Sequence, residues 1–478
     1  MQNSAHLNKT NIYLFVIFIL YLFLSFYVGS FHEPWADEAQ SWLLARDCSV
    51  VELVLNALKY EGHPILWYLI LKIAQFFRLS FENINLLSMF FCALGVYLLL
   101  FKTKIPLFFK TLIPFCFYIF YQYSLIARSH SLIFPLLMAI SILYPKKDGK
   151  IIEYSVLLIL LASVSFHGYF ISFILFSDFV ISLFKKVNIK RCIPLYFLGL
   201  NYLLTYLYLK KPVDCSFPAG QFDIRSVFET AVRVIPNIFF NVSPTEDYAY
   251  VKGVILTAFI LIFVYKIIDT VCTNQKQKIQ LYVLNLSFLI LLSVFYSNEW
   301  HWGYAFLVFV FSFTVMCNIN NIQKIEFKSN KLFYICFVIV LFSQLIWTLK
   351  SSVLEKYFIY SPGKEVAEYI KSNGLENSRI VAIGFNVTSV NPYFDKNIFS
   401  NTPNSYWYWR KNALKPINFS ENPVILIEMT KCKKKLYKRL SDKYNFTVFS
   451  GALISRGRFK EDLSLVLCIP KSRVINNE

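Results

Sequence analysis

HPILWYLILKIAQFF, residues 63–77, decides how the chain is threaded. Its composition suits a membrane, but its 15 residues make only about 22 Å of helix, against a hydrocarbon core of about 30 Å. It also carries Lys72 and runs into Arg78. Either it is a short span or it lies in the interface. The charge of the short loops separates the two readings, because cytoplasmic loops collect Lys and Arg. If 64–79 does not cross, the Lys-rich loops 102–110, 145–150, 185–191, 266–278 and 319–331 all fall on the cytoplasmic side. If it crosses, all of them flip outside. The first reading is preferred.

Outward from that stretch the chain holds further apolar runs near 12–31, 84–101, 106–123, 129–144, 151–166, 168–184, 192–209, 250–268, 280–297, 302–318 and 332–348. About eleven spans are expected, with the N-terminus inside and the C-terminus outside. The fold class is an α-helical polytopic membrane protein over 1–348, followed by a small extracytoplasmic α/β domain over 349–478. The first outer loop is 31–83, with interfacial helices, and a larger one is 210–249. Composition agrees: 56% of residues are hydrophobic and 16% charged, where a soluble protein has about 25% charged. The net charge of +19 sits in short loops and after residue 350, which fits a membrane surface and does not point to nucleic acid. The Cys residues lie largely inside apolar runs and show no metal-ligand spacing. Cys432 and Cys468 are the two that can pair outside the cytoplasm.

Immediately upstream of the deciding stretch, residues 31–64 read FHEPWADEAQSWLLARDCSVVELVLNALKYEGHP. They hold six acidic and two basic side chains, a local charge of −4. PWADEAQSWLLARD reads as a short helix that Pro34 can start. Asp37-Glu38 can take a proton from an acceptor hydroxyl, hold a divalent cation, or simply be acids favoured at a helix N-terminus. Glu61-Gly62-His63-Pro64 forms a turn whose His63 can meet a lipid phosphate. IARSHSLIF places Arg128 and His130 at the bilayer edge. There the guanidinium fork suits a phosphate or snorkels to water. SFHGYF and NEWHWGYAF set His167, His301 and Tyr304 at outer span ends, where Trp300 and Trp302 also suit an aromatic belt. Five of the six His residues, all but His6, fall in outer segments.

The tail reads as a helix after Ser361-Pro362 ended by Gly374. Strands follow at 379–384, 423–428, 446–450 and 463–469, with a helix near 430–442. No catalytic motif is visible there.

WADEAQ (35–40), EGHPILWY (61–68), ARSHSL (127–132) and HGY (167–169) together resemble the GT-C type glycosyltransferases of the membrane. The likeness is to the group of the protein O-mannosyltransferases and aminoarabinose transferases, in order and spacing, over roughly the first 210 residues. The resemblance implies an inverting transfer from a polyprenyl-phosphate-linked sugar donor to a glycan, lipid or protein acceptor on the extracytoplasmic face of the bilayer. It implies Asp37 as base with Glu38 beside it, His63 at the lipid phosphate, and Arg128 and His130 in the cavity; Glu61, His167, His301 and Tyr304 join them as substrate-binding residues from their place in the outer segments. The turn after the third span lacks the acid that related enzymes often carry. That favours catalysis with no cofactor and no metal, although a divalent cation is conceivable at the acid pair, and gives the phosphate to cationic side chains. The rival reading is a transporter or flippase of lipid-linked sugar; no paired, Gly/Pro-broken halves support it. The richness in Phe, Ile, Lys and Asn suggests an AT-rich genome and a bacterial cytoplasmic membrane.

Overall fold

The computed structural model describes residues 2–183, 189–216, 224–242, 248–294, 299–326, 328, 330–407, 409–411 and 413–472. Most of the expected loop 185–191, parts of 210–249, and Ser297 and Asn298 of the junction before His301 lie outside the described residues.

Among the described residues, six helices are long and apolar enough to cross a membrane: Lys9–Gly29, Phe81–Lys102, Ala249–Val271, Gln275–Val294, Glu299–Asn320 and Lys331–Tyr357. Four shorter apolar helices join them: Leu66–Phe76, Ile151–Ala162, Phe166–Ser182 and Ile193–Leu209. Among the described residues the long helices thus account for six of the eleven expected spans. Phe23, Phe26, Phe90, Ile255, Ile290 and Phe342 stand exposed on the long helices, as lipid-facing side chains do. The helix Glu299–Asn320 is the opposite case. It is buried continuously from Gly303 to Cys317, so the others pack around it. Gly303 permits that contact, because a Cβ there would run into Tyr118 and Tyr123.

The run 106–123 is not one helix. It divides into Leu107–Leu112, a 3-10 turn Ile113–Phe115 and a wide π turn Tyr118–Gln122. Pro114 explains the break, since it lacks an N–H and its ring clashes with the preceding turn. The π turn, a feature often found at functional sites, re-aims three side chains. Tyr121 donates to Glu355, and Gln122 donates to the carbonyls of Glu299 (3.3 Å) and Trp300 (3.2 Å). Tyr123 also donates to Trp300 O, at 2.8 Å. The next run starts as a 3-10 turn, Ser129–Leu132, before the helix Ile133–Leu143. Within the expected loop 210–249 lies a helix, Ile224–Asn237, which buries Val232, Val234 and Ile235.

The last long helix runs to Tyr357, so the tail begins about ten residues later than the sequence boundary. Its helix starts at Gly363, one residue later than the Ser361-Pro362 reading, with Pro362 at the N-cap position and no side-chain cap. Val366, Ala367 and Ile370 face a four-stranded sheet. The strands are β1 (Ile380–Ile383), β2 (Val424–Glu428), β3 (Tyr444–Phe449) and β6 (Leu465–Pro470), in the order β1-β2-β6-β3. β1 and β2 are parallel, and β6 is antiparallel to both of its neighbours. These four strands and the helix Lys434–Ser441 fall where the sequence pattern puts them. Cys432 and Cys468 are free thiols that share one apolar cluster.

A hairpin of β4 (Ala452–Ser455) and β5 (Arg458–Asp462) has no counterpart in the sequence reading. Its turn puts both Arg456 (φ 50°) and Gly457 (φ 74°) in the left-handed region, as a tight two-residue hairpin requires. That conformation is costly for Arg, and the surroundings hold it. Arg456 is 2% exposed and bonds Glu299 (2.5 Å) and the carbonyl of Asn237 (2.7 Å). Its guanidinium lies over Trp302 and Trp347. The hairpin thus plugs the tail onto the helical part.

Candidate functional site

A cavity of about 380 Å³ opens where the helix Ala36–Asp47, the turn before Leu66–Phe76, the segment around Arg128, the start of Glu299–Asn320 and the tail meet. Asp37, Glu61, His63, Arg128, His130 and His301 all line it. Six of the nine residues expected at a site are therefore brought together from four separate stretches of sequence.

Helical spacing explains the first of them. Asp37, Gln40 and Ser41 stand at i, i+3 and i+4 on Ala36–Asp47 and share one face, and all three line the cavity. Arg128 precedes the 3-10 turn Ser129–Leu132 in extended backbone and forms an ion pair with Asp37. The two side chains are 19% and 23% exposed, so the pair is sheltered but reachable.

Glu61 accepts from Gln40 Nε2 at 2.7 Å. The same amide nitrogen donates to the carbonyl of Trp407 (2.6 Å), and Gln40 Oε1 accepts from the N–H of Trp407 (2.6 Å). One fully satisfied side chain thus ties the tail backbone to a cavity carboxylate. Burial raises the Glu61 pKa to about 7, with Asp37 adding to the rise and Gln40 and Arg128 opposing it. Burial, together with the nearby Arg128 and His167, lowers the His63 pKa to about 3. His63 is therefore neutral, so a phosphate would meet it without charge assistance. It offers hydrogen bonds, and Arg128 and Lys460 are the cationic side chains in the cavity lining.

The histidines form a ladder. The ring centroids of His63 and His130 are 5.9 Å apart, those of His130 and His301 5.9 Å, and those of His301 and His167 4.3 Å. His167 and Tyr304 stand behind the cavity wall rather than in it. Tyr304 packs on His130 and His167, and its hydroxyl meets Ser165 Oγ at 3.0 Å. Both support the rungs that do face the cavity.

Glu38 does not line the cavity. It is fully buried and accepts from Trp35 N (3.0 Å) and Ala127 N (2.6 Å). Its other contact is His32 Nε2 at 3.1 Å, while His32 Nδ1 lies 2.7 Å from Glu355. A carboxylate can only accept, so each ring nitrogen of His32 donates and the ring is an imidazolium. Burial pushes the His32 pKa down, but Glu38 and Glu355 outweigh it and raise it to about 10. The adjacent acids thus have different tasks. Asp37 faces the cavity, and Glu38 ties the loop at Ala127, and so Arg128, to the first and last long helices.

Three polar atoms at the cavity are buried without a hydrogen-bond partner: Trp35 Nε1, His63 Nδ1 and His130 Nε2. Buried polar groups are nearly always satisfied, so three orphans around one cavity point to a ligand. Among the described residues, no three His, Cys, Asp or Glu side chains are grouped to hold a metal ion.

The far wall comes from the tail, which the sequence reading left without chemistry. Phe385, Asn386, Trp409, Glu428, Lys460 and Glu461 line it. The available signal was the aromatic cluster SYWYWR at 405–410, dense in Trp and Tyr outside any strand. Comparison with known protein families, with curated proteins and with solved structures finds no match for this chain.

Proposed function

We propose that this chain is an integral-membrane glycosyltransferase of GT-C type. It moves a sugar from a polyprenyl-phosphate donor to an acceptor hydroxyl on the extracytoplasmic face, with inversion, in a bacterial cytoplasmic membrane with the N-terminus inside. The observation that carries this reading is the Asp37–Arg128 pair, 91 positions apart in sequence, set in one cavity with His63, His130 and His301.

The pair suggests an order of events. Arg128 carries five N–H donors in a fork that matches phosphate oxygens. An arriving lipid phosphate competes with Asp37 for that fork and leaves the carboxylate free. Asp37 then takes the proton of the acceptor hydroxyl. The acceptor oxygen bonds to the anomeric carbon as the bond from that carbon to the phosphate oxygen breaks. The electron pair leaves with the polyprenyl phosphate, whose charge Arg128 stabilises. His63 and His130, neutral donors with open ring nitrogens, complete the contacts to phosphate or sugar. These polar groups lie at helix starts and loops rather than at mid-helix, which supports transfer over transport.

The test is Asp37→Asn in the full chain, reconstituted with a panel of polyprenyl-phosphate sugars. Free polyprenyl phosphate would be read as product, and donor retention measured separately. Transfer is expected to fall by about 10²–10⁴ while the donor stays bound. Unchanged turnover would remove Asp37 from the mechanism and the assignment with it.

A further inference from the structure

We infer that the tail side of the cavity is the acceptor subsite and that the acceptor it takes is a carbohydrate. This rests on the transfer reading and names its second substrate.

Begin with how that wall is built. β1 ends at Ile383, and Gly384 turns the chain at φ 105°, a conformation L side chains rarely adopt. A Cβ at Gly384 would also strike Glu428. Glu428 spends both oxygens locally. One accepts from Phe385 N (3.0 Å) and Asn386 N (3.3 Å), and the other from the Thr430 hydroxyl. Glu428 is therefore a positioning residue that fixes Phe385 and Asn386 at the cavity edge. Phe385 in turn packs on Trp409, with ring centroids 5.3 Å apart. The backbone of Trp409 is pinned by Ser216 N at 2.8 Å. This is a preorganised surface, and the same cavity is also lined by Trp35 and Trp300, whose rings meet at a tilt with centroids 5.5 Å apart.

Next consider what such a surface recognises. A sugar ring has apolar C–H faces and a rim of hydroxyls that donate and accept. It needs aromatic faces above and below and polar groups around its edge. The cavity supplies both. Its faces are Phe385, Trp409, Trp35 and Trp300. Its edge holds the Asn386 amide, Lys460 and the Glu461 carboxylate. The orphan Trp35 Nε1, on a side chain only 7% exposed, adds a donor with no acceptor of its own. Size argues the same way. About 380 Å³ is near the small end of the roughly 300–1,000 Å³ of small-molecule pockets. It admits a sugar ring against the aromatic lining. These tail residues line the same cavity as Arg128, the group proposed to hold the donor phosphate.

The experiment is an array of immobilised oligosaccharides probed with the detergent-solubilised full chain. Wild type, Asp37→Asn, Trp409→Ala and Glu461→Gln are compared, with thermal unfolding recorded for each. Wild type and Asp37→Asn should be retained on a common set of glycans. Trp409→Ala should lose about tenfold or more of that retention, as expected for an aromatic anchor. Glu461, 57% exposed, can be changed without touching the core. Glu461→Gln should lower retention if Trp409→Ala proves unfolded. No retention on any glycan, or retention unchanged in both variants, overturns the inference. So does turnover onto a peptide or lipid acceptor without glycan retention, and that outcome would leave the transfer reading standing. Glycan retention without donor turnover would do the reverse.

Discussion

Asp37 and Glu38 are neighbours, yet they belong to two charge clusters with opposite characters. Asp37 pairs with Arg128 at the edge of a cavity, where both remain partly exposed. Glu38 joins His32 and Glu355 in a sealed triad in which the His32, Glu38 and Glu355 side chains are 0% exposed. Adjacent side chains on a helix are rotated by about 100°, and that rotation separates a cavity-facing acid from a buried one. The open cluster can exchange partners with a ligand. The closed one can only hold or fail.

The largest effect is expected from Asp37→Asn, the loss of transfer described above, with thermal unfolding in detergent unchanged. Glu38→Gln should show the reverse: lower thermal stability, with donor still bound by the protein that folds. Lost turnover at unchanged stability would move Glu38 into the chemistry.

A sharper test lies within the triad. His32→Gln leaves two buried carboxylates without their cation, and breaking such a buried arrangement costs about 3–5 kcal/mol. Adding Glu355→Gln removes one of those carboxylates and restores the net charge of the site. More than half of the lost stability should return. A double variant less stable than the single would mean that packing, not charge balance, governs the triad.

Gly303→Ala tests the scaffold behind both clusters. The new methyl meets Tyr118 and Tyr123, and overpacking of this kind costs about 1–3 kcal/mol. Wild-type stability in that variant would show that Glu299–Asn320 is less tightly packed than described.

The smallest effect is a pH dependence at Glu61. Its folded pKa is raised to about 7, above the ordinary carboxylate value. Its contribution to stability is therefore full below that ordinary value and is lost as pH rises through about 7. The same ionisation places a negative charge beside Arg128. Binding of inorganic pyrophosphate should weaken by a few fold across that window, the modest size expected for one partly screened charge. Glu61→Gln should flatten the profile, and an unaltered profile in that variant would assign the step to another group.

Much of the membrane-side wall was legible before any coordinates. Asp37, Glu61, His63, Arg128, His130 and His301 stand out in the sequence as residue types whose chemistry is hard to explain at a bilayer edge. What the sequence could not convey was orientation. Glu38 looked equivalent to Asp37, and only the helix phase and the His32 contact separate them. His63 read as a potential cation, and burial beside Arg128 keeps it neutral. The run 106–123 was apolar enough for a span, but Pro114 and the π turn spend it on aiming side chains. The tail strands followed from their alternating pattern, while β4 and β5 did not, because an Arg-Gly turn is a weak hairpin signal until the Arg456 partners are known. Long-range pairings such as Gln40 with Trp407 leave no local trace at all.

That last pairing has an evolutionary consequence. The Gln40 amide grips only the main chain at position 407, both its N–H and its carbonyl. The indole there contributes nothing to those two bonds. Relatives could therefore exchange residue 407 and its neighbours without undocking the tail. Substrate preference could drift while the latch that holds the two halves together stayed constant.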